Sequence, residues 1–216
     1  MHRRVWLSLP LAVLVAACGG ELRGDGVPAA VTRELPAFES VTVSGNFEVT
    51  VRIGAGLPSV SLAGDGNLLP QVQTTVLDKT LRIDSLRSYT ASKRIRLVVD
   101  TPSLAGLQVL GATQVRVEGV NGVEFRLVAD GASSVMLAGR VDQLQLRLTG
   151  AGEIDALALS AGAVSAEING AGRVLVDARD TLAVEIKGAG ELQYLGAPQV
   201  SQTVLGAGRV LHIKPR

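Results

Sequence analysis

The chain has 216 residues, a formal net charge of +1, and 47% hydrophobic but only 3% aromatic residues. This length and hydrophobic content suffice for one domain with a sizeable core. The near-neutral charge, without a basic patch or aromatic residues interleaved with arginine, argues against a nucleic-acid partner.

The first 17 residues form a separate segment. His2, Arg3 and Arg4 provide a basic start, and an apolar run of 13 residues extends from Val5 to Ala17. A membrane-spanning helix needs about 20 such residues. The pattern therefore predicts a signal peptide over residues 1–17.

The apolar run ends in the sequence VAAC, followed by two glycines, which resembles a bacterial lipobox. Cys18 is the only cysteine, so it has no partner for an intramolecular disulfide. We predict cleavage before Cys18 and acylation of its thiol, which would anchor the chain stably in a membrane. Because Gly19 rather than Asp follows, the sorting rule for Gram-negative lipoproteins points to the outer membrane. Plain secretion and an uncleaved anchor are the alternatives.

Residues 18–36 contain Gly24, Gly26, Pro28 and Pro36 without apolar periodicity. This composition predicts a flexible tether between the lipidated cysteine and a folded domain over residues 37–216.

Alternating apolar residues then predict strands at 41–43 and 47–53, with a turn at Ser44-Gly45-Asn46 between them. Further strands are expected at 72–77, 80–84, 94–99 and 107–110, and Pro102 would end a strand. We interpret Gly54-Ala55-Gly56 as an irregular copy of a triplet that recurs later in the chain.

That triplet, Gly-Ala-Gly, occurs at 150–152, 170–172, 188–190 and 206–208, with looser copies at 111–113 and 131–133. The steps between successive copies are 20, 19, 20, 18 and 18 residues. A sustained period of this length indicates a repeat architecture. Because apolar residues alternate on both sides of each triplet, we predict an all-β, single-domain β-solenoid, similar to a right-handed β-helix, with Gly-Ala-Gly corners.

Stacked coils place equivalent residues in columns about 4.8 Å apart. The residues directly after the triplets alternate in charge: Glu153, Arg173, Glu191 and Arg209. A second predicted column contains Arg147, Glu167, Glu185 and Thr203. We interpret both columns as solvated faces that maintain register, and the first also as a candidate surface for a ligand.

Four stretches carry a family resemblance: residues 38–49, 64–69 and 101–104, and the serial triplets. In this order and spacing they resemble the head GIN domain family, described as auto-transporter adhesins, across about residues 37–212. The resemblance implies a β-solenoid, a cell-envelope location and an N-terminus that is often lipidated. The family's motifs contain no catalytic residue to carry over.

The residues provide little for cofactor or metal chemistry. His212 is the only histidine after the predicted signal peptide, so we expect a structural role for it and no zinc site. The glycine triplets connect strand to strand rather than strand to helix, which argues against a nucleotide-binding loop. No column of aspartates accompanies them, as calcium-binding solenoids require. We therefore predict no cofactor.

These observations predict a non-enzymatic, lipid-anchored envelope protein whose solenoid serves binding, adhesion or scaffolding. Its partners would be the membrane, through Cys18, and an unidentified protein or glycan. A polysaccharide-processing enzyme using Asp130, Arg147 and Glu167 is one alternative. A periplasmic regulatory or stress-sensing module is another. Whether the domain faces the periplasm or the cell surface stays open.

The last coil should expose a strand edge at residues 210–213. We expect Lys214, Pro215 and Arg216 to act as a charged, proline-bearing guard against pairing with other chains.

Overall fold

The computed structural model describes residues 22–91 and 93–214. Within them lie seventeen strands and one short 3-10 helix, Leu69–Gln71. No helix in this part of the chain is long and apolar enough to cross a membrane. The strands are β1 (Leu22–Arg23), β2 (Pro28–Glu34), β3 (Ser40–Gly45), β4 (Phe47–Ile53), β5 (Ser59–Asp65), β6 (Val72–Leu77), β7 (Thr80–Ser85), β8 (Tyr89–Thr90), β9 (Ile95–Thr101), β10 (Gly106–Gly111), β11 (Gln114–Gly131), β12 (Ser134–Gly150), β13 (Glu153–Gly170), β14 (Arg173–Gly188), β15 (Glu191–Leu195), β16 (Gln199–Gly206) and β17 (Arg209–His212).

The strands stack as coils of a solenoid. Strands β11 to β14 each bend through two sides of a coil, and each pairs in parallel with the next. One side continues through β16 at one end and through β10, β3 and β7 at the other. The second side continues through β15 and β17 and, in the other direction, through β4 and β9. The predicted β-solenoid is confirmed, with about five turns.

The predicted stacking of the triplets is also confirmed. Gly111, Gly131, Gly150, Gly170 and Gly188 occupy one column, each in register with the next, and Gly206 continues it. Each coil of 18–20 residues therefore brings its corner back to the same position.

The interior is formed by the inward half of each alternating strand. Leu127, Leu146, Ala166 and Val184 form one such column and are at most 4% exposed. Two phenylalanines, Phe47 and Phe125, are the largest fully buried side chains. Burial of each large apolar side chain contributes about 1.5–3 kcal/mol, so the thin interior is stabilised in the coils that have a neighbour on both sides.

The corners are held by backbone hydrogen bonds between coils. The Ala151 N–H donates to the Gly131 carbonyl at 3.0 Å, and the Glu153 N–H donates to the Ser133 carbonyl at 2.9 Å. Gly150 has a φ of +111°, and a Cβ atom there would lie 2.5 Å from the Gly131 carbonyl oxygen. Backbone conformation and close packing both require glycine at the first position of the triplet.

The interpretation of Gly54-Ala55-Gly56 as a copy of the corner is wrong. Gly45 pairs with Gly111 at the corner position, and its carbonyl accepts hydrogen bonds from the Ala112 N–H and the Thr113 hydroxyl. Phe47 follows where later coils have their second glycine, and its ring is fully buried. The turn predicted at Ser44-Gly45-Asn46 is confirmed between β3 and β4, but its equivalence to the later corners is hidden because a core residue, Phe47, replaces the small one.

The predicted tether over residues 18–36 differs from the structure at residues 22–34. Strand β2 pairs antiparallel with β5, and β1 pairs with β8. The Arg33 guanidinium donates to the Val72 carbonyl at 2.7 Å and to the Leu69 carbonyl at 3.2 Å. Strand β2 is almost wholly exposed. Main-chain pairing therefore holds it, and apolar periodicity cannot reveal that. The predicted signal peptide and Cys18 lie outside the described residues.

The last coil is not covered by another. All of β16 is exposed, and its inward-facing Val200 and Val204 are 41% and 36% exposed. His212 pairs with Tyr194, as its predicted inward position requires, but it is exposed for the same reason. Its ring stacks on Tyr194 at a centroid distance of 5.0 Å, and Nε2 lies 2.9 Å from the Gly196 carbonyl oxygen. Of the predicted guard, Pro215 and Arg216 lie outside the described residues.

The corner geometry predicts that Gly150→Ala is strongly destabilising. The strained φ and the contact with the Gly131 carbonyl should lower the free energy of unfolding by about 2 kcal/mol or more. The exposed neighbour Ala151, changed to serine, is the matched control and should stay within about 0.5 kcal/mol. Urea unfolding followed by circular dichroism measures both, and equal stability of the two variants would contradict this account of the corner.

Candidate functional site

The first predicted charge column exists. Glu153, Arg173, Glu191 and Arg209 are consecutive register partners across β13, β14, β15 and β17. The Arg173 Nε and Glu191 Oε1 atoms are 3.7 Å apart, the one ion pair within this column. The Glu191 carboxylate also accepts a hydrogen bond from Gln193 at 2.6 Å. An exposed pair of this kind contributes less than about 1 kcal/mol, which fits a role in register.

The second column, on the other side of the coil, forms a tighter ionic cluster. Arg147, Glu167 and Glu185 lie in register on β12, β13 and β14. Arg147 Nη2 is 2.7 Å from one Glu167 oxygen. Lys187, two residues beyond Glu185, lies 2.7 Å from Glu185 and 3.8 Å from Glu167. Lys187 therefore offsets the repulsion between two adjacent carboxylates.

The cluster keeps Glu167 ionised. A hydrogen bond from the Asn169 side-chain amide at 3.0 Å is the main cause that lowers the pKa of Glu167, and the Arg147 and Lys187 charges act in the same direction against partial desolvation. The hydrogen bond to Glu185 in turn raises the pKa of Lys187.

The proposed catalytic trio is brought together only in part. Arg147 and Glu167 form the ion pair described above, whereas Asp130 is in register with Thr149 on β12. Among residues 22–91 and 93–214, Asp130 makes no ion pair with Arg147. A general acid needs a raised pKa, and the pKa of Glu167 is lowered. This arrangement does not favour general acid–base chemistry at the trio.

A shallow groove runs along the outer surface of the same side. One part, of about 330 Å³, lies over Arg126, Gln145, Arg147 and Glu167. A second part, of about 270 Å³, shares Arg126 and continues over β10, β3 and β7. The two parts together cross six strands, about 24 Å at the usual strand spacing. The groove offers hydroxyl, amide and guanidinium groups across its length.

A cleft of about 550 Å³ lies at the opposite end of the solenoid from β16. Its lining includes three cations and one carboxylate: Arg87, Lys93, Arg94 and Asp84. The Arg94 Nε donates to the Asn46 side chain at 2.7 Å. Arg87 and Lys93 have no ion-pair partner in the described part of the chain. One oxygen of Asp84 is buried and accepts no hydrogen bond there.

Aromatic rings form one wall of this cleft. Tyr89 is half-buried and tilts against Phe47 with a centroid distance of 6.5 Å, and burial raises the pKa of its hydroxyl. The sequence does not reveal this cleft because residues 86–94 have no strand periodicity. Three cations within eight residues, 87–94, were the available signal.

No three His, Cys, Asp or Glu side chains in residues 22–91 and 93–214 are grouped so that they could hold a metal ion. The candidate sites are therefore the groove, with its ionic cluster, and the basic cleft.

The lowered pKa of Glu167 predicts a specific pH dependence. A carboxylate with a lowered folded-state pKa stabilises the fold above its ordinary pKa of 4.5, and this contribution is lost as the pH falls through the lower value. Glu167→Gln should therefore lose less stability than the wild type on acidification below pH 4.5, by up to about 1 kcal/mol. Urea unfolding at a series of pH values measures it. Ser165→Ala, on the same outer face, is the control and should follow the wild type; identical pH profiles for Glu167→Gln and wild type would disprove the assignment.

Solved structures share this fold. A crystal structure described as a putative adhesin from Bacteroides fragilis is 20% identical, with a TM-score of 0.73, and the match covers 89% of this chain and 100% of that one. One described as a putative lipid binding protein from Parabacteroides distasonis is also 20% identical, with a TM-score of 0.54 and coverage of 90% and 100%. A putative adhesin from Parabacteroides merdae is 18% identical, with a TM-score of 0.51 and coverage of 90% and 99%.

No curated protein matches the chain. A family model described as "Putative auto-transporter adhesin, head GIN domain" matches residues 37–198. This span contains the first strands of the solenoid, the groove, the basic cleft and most of the triplets, in agreement with the resemblance in the sequence. The chain therefore belongs to the head GIN domain family.

Proposed function

We propose that this protein is a lipid-anchored protein of the bacterial cell envelope that binds an extended ligand, a protein or a glycan, without chemical conversion. The observation that carries the proposal is the groove that crosses six parallel strands on one side of the solenoid. Adhesion or scaffolding is the role that such a surface serves, in keeping with the family's description as adhesins.

The groove is suited to binding because its side chains are held in fixed columns. Arg126 donates to the Gln145 side chain at 2.7 Å, which positions both groups on adjacent strands. Arg147 is likewise held by Glu167. A ligand that spans several strands would meet polar groups at a repeat of about 4.8 Å, with little conformational rearrangement of the protein.

Anchoring would occur through Cys18, four residues before β1 begins at Leu22. The lipobox-like sequence supports acylation, and Gly19 supports an outer-membrane location. The groove would then lie close to the membrane that carries the protein, facing either the periplasm or the cell exterior.

The enzymatic alternative has less support from the geometry. Glu167 forms ion pairs with Arg147 and Lys187. Asp130 lies on a different strand, β11, in register with Thr149 rather than with Arg147. The regulatory alternative would use the same groove for a membrane protein partner, so it differs from adhesion in the ligand and not in the site.

Reversal of charge in the groove should weaken ligand binding. Arg126→Glu is expected to reduce binding of the purified protein to cell envelopes or to an acidic polysaccharide at least about fivefold, since it removes a central cation. The exposed Arg140, which does not line the groove, changed to glutamate, provides the same charge change as a control.

Equal loss of binding in both variants would contradict the groove as the site. Turnover of a polysaccharide that Asp130→Ala abolishes would establish the enzymatic alternative instead.

Acylation can be measured directly. Mass spectrometry of the mature protein should find an N-terminus at Cys18 carrying acyl chains, and Cys18→Ser should retain Met1. Proteolysis of intact cells then separates the two orientations, because only a surface-facing domain is cleaved. An unmodified Cys18 in the wild type would overturn the anchoring part of the proposal.

A further inference from the structure

We propose that the basic cleft and its flanking loop form a membrane-docking surface that binds the phosphate groups of anionic lipids and holds the solenoid upright on the bilayer. The inference rests on the proposed acylation of Cys18. It adds a second, electrostatic contact and assigns it to Arg87, Lys93 and Arg94.

The chain enters the fold beside the basic cleft. Leu22 and Arg23 pair with Tyr89 and Thr90, the strand in the wall of the cleft. The Gly24 N–H adds a hydrogen bond to the Thr90 carbonyl at 2.9 Å. Four residue steps separate Cys18 from Leu22, which span at most about 14 Å. An acyl chain on Cys18 therefore brings this end of the solenoid, rather than the β16 end, to the bilayer surface.

The lining of the cleft carries a net positive charge. The cleft presents Arg87, Lys93 and Arg94 against one lining carboxylate, Asp84. Arg87 and Lys93 are exposed and have no ion-pair partner among the described residues. Anionic headgroups attract such clustered cations, and the attraction acts within about a Debye length of the surface. The cleft is also large enough, at about 550 Å³, to admit a headgroup.

An exposed apolar side chain lies beside the cations. Leu86, directly before Arg87, is 56% exposed. An exposed leucine next to basic residues can insert at the boundary of headgroups and acyl chains while the cations remain at the phosphates. At the opposite end, β16 carries no charged residue, and the cations of that coil are Arg209 on β17 and Lys214 after it.

The occupant that fits these observations is a bilayer with anionic phospholipids. The carboxylates near this end are Asp84 in the cleft, Asp25, which accepts the Val27 N–H in the turn after β1, and Asp65, whose Oδ2 is buried beside Gly24. With Arg23, which is in register with Thr90, four cations stand against these three carboxylates, and the excess lies in the cleft itself. Acylation of Cys18 would already anchor the chain stably, so the added contribution of the electrostatic contact would be to set the orientation of the solenoid.

The test uses the acylated full-length protein reconstituted in vesicles. A fluorophore on Ser88→Cys reports the cleft, and one on Ser201→Cys reports β16, about 34 Å away along the sheet at the usual strand spacing. Energy transfer to a headgroup-labelled lipid is measured in vesicles of phosphatidylcholine alone and of phosphatidylcholine with phosphatidylglycerol. Mass spectrometry of the same sample reports whether Cys18 is acylated.

We expect energy transfer from position 88 to be stronger in the anionic vesicles than in phosphatidylcholine alone, and to weaken at high salt. Transfer from position 201 should be weak in both vesicle types. The triple variant Arg87→Gln, Lys93→Gln, Arg94→Gln should abolish the difference between the two vesicle types. The control triple variant Arg140→Gln, Arg209→Gln, Lys214→Gln removes the same charge elsewhere and should retain it.

Equal transfer from position 88 in both vesicle types, or equal loss in both triple variants, would overturn the docking surface. If Cys18 proves unmodified, the anchoring proposal fails, and sedimentation of the unacylated chain with the same vesicles still decides the docking surface. At least about tenfold weaker sedimentation of the cleft variant with anionic vesicles would support it, and no difference from the control triple variant would refute it.

Discussion

The hydrogen bond between a corner amide and the glycine carbonyl of the preceding coil governs the geometry of the whole solenoid. It occurs at successive corners, as in Ala151 to Gly131 and Ala189 to Gly170. Because coils are separated by only one strand spacing, the carbonyl of one corner occupies the space where a Cβ of the next would lie. Glycine at that position is therefore needed for packing as well as for backbone conformation. Because every regular coil needs such a glycine, the glycines recur in the sequence with the period of the coil.

Once the corners are in register, the outward side chains must form columns. Their chemistry then depends on neighbours that are distant in sequence. Glu167 and Glu185 would repel each other in an isolated pair of strands, yet Arg147 and Lys187 complete a cluster with both. The same register aligns Arg126 with Gln145 and produces the groove. A structural repeat thus creates the groove that we propose as a ligand surface, without any dedicated loop.

The two ends of the stack differ in chemistry. At one end β2 covers the edge of β5, β1 forms a separate pair with β8, and residues between β7 and β9 line the basic cleft together with the corner at Gly45. At the other end the neutral strand β16 leaves Val200 and Val204 partly exposed. This difference between the ends fits the proposed anchoring: the basic cleft would face a charged surface, and the solenoid would extend its opposite end away from that surface.

By itself, the sequence determined the β-solenoid, the position of each regular corner and both charge columns. Strand alternation and a period of 18–20 residues are local signals that survive without tertiary information. It predicted the turn at Gly45 but not that this turn belongs to the column of corners, because Phe47 replaces the small residue there. It did not reveal β2 either, since that exposed strand is held by main-chain pairing and by Arg33. Only the tertiary structure brought together Asn46, Tyr89 and Arg94 at the basic cleft and separated Asp130 from Glu167. These features depend on contacts between coils and loops far apart in the chain, and no local pattern of residue types encodes such contacts.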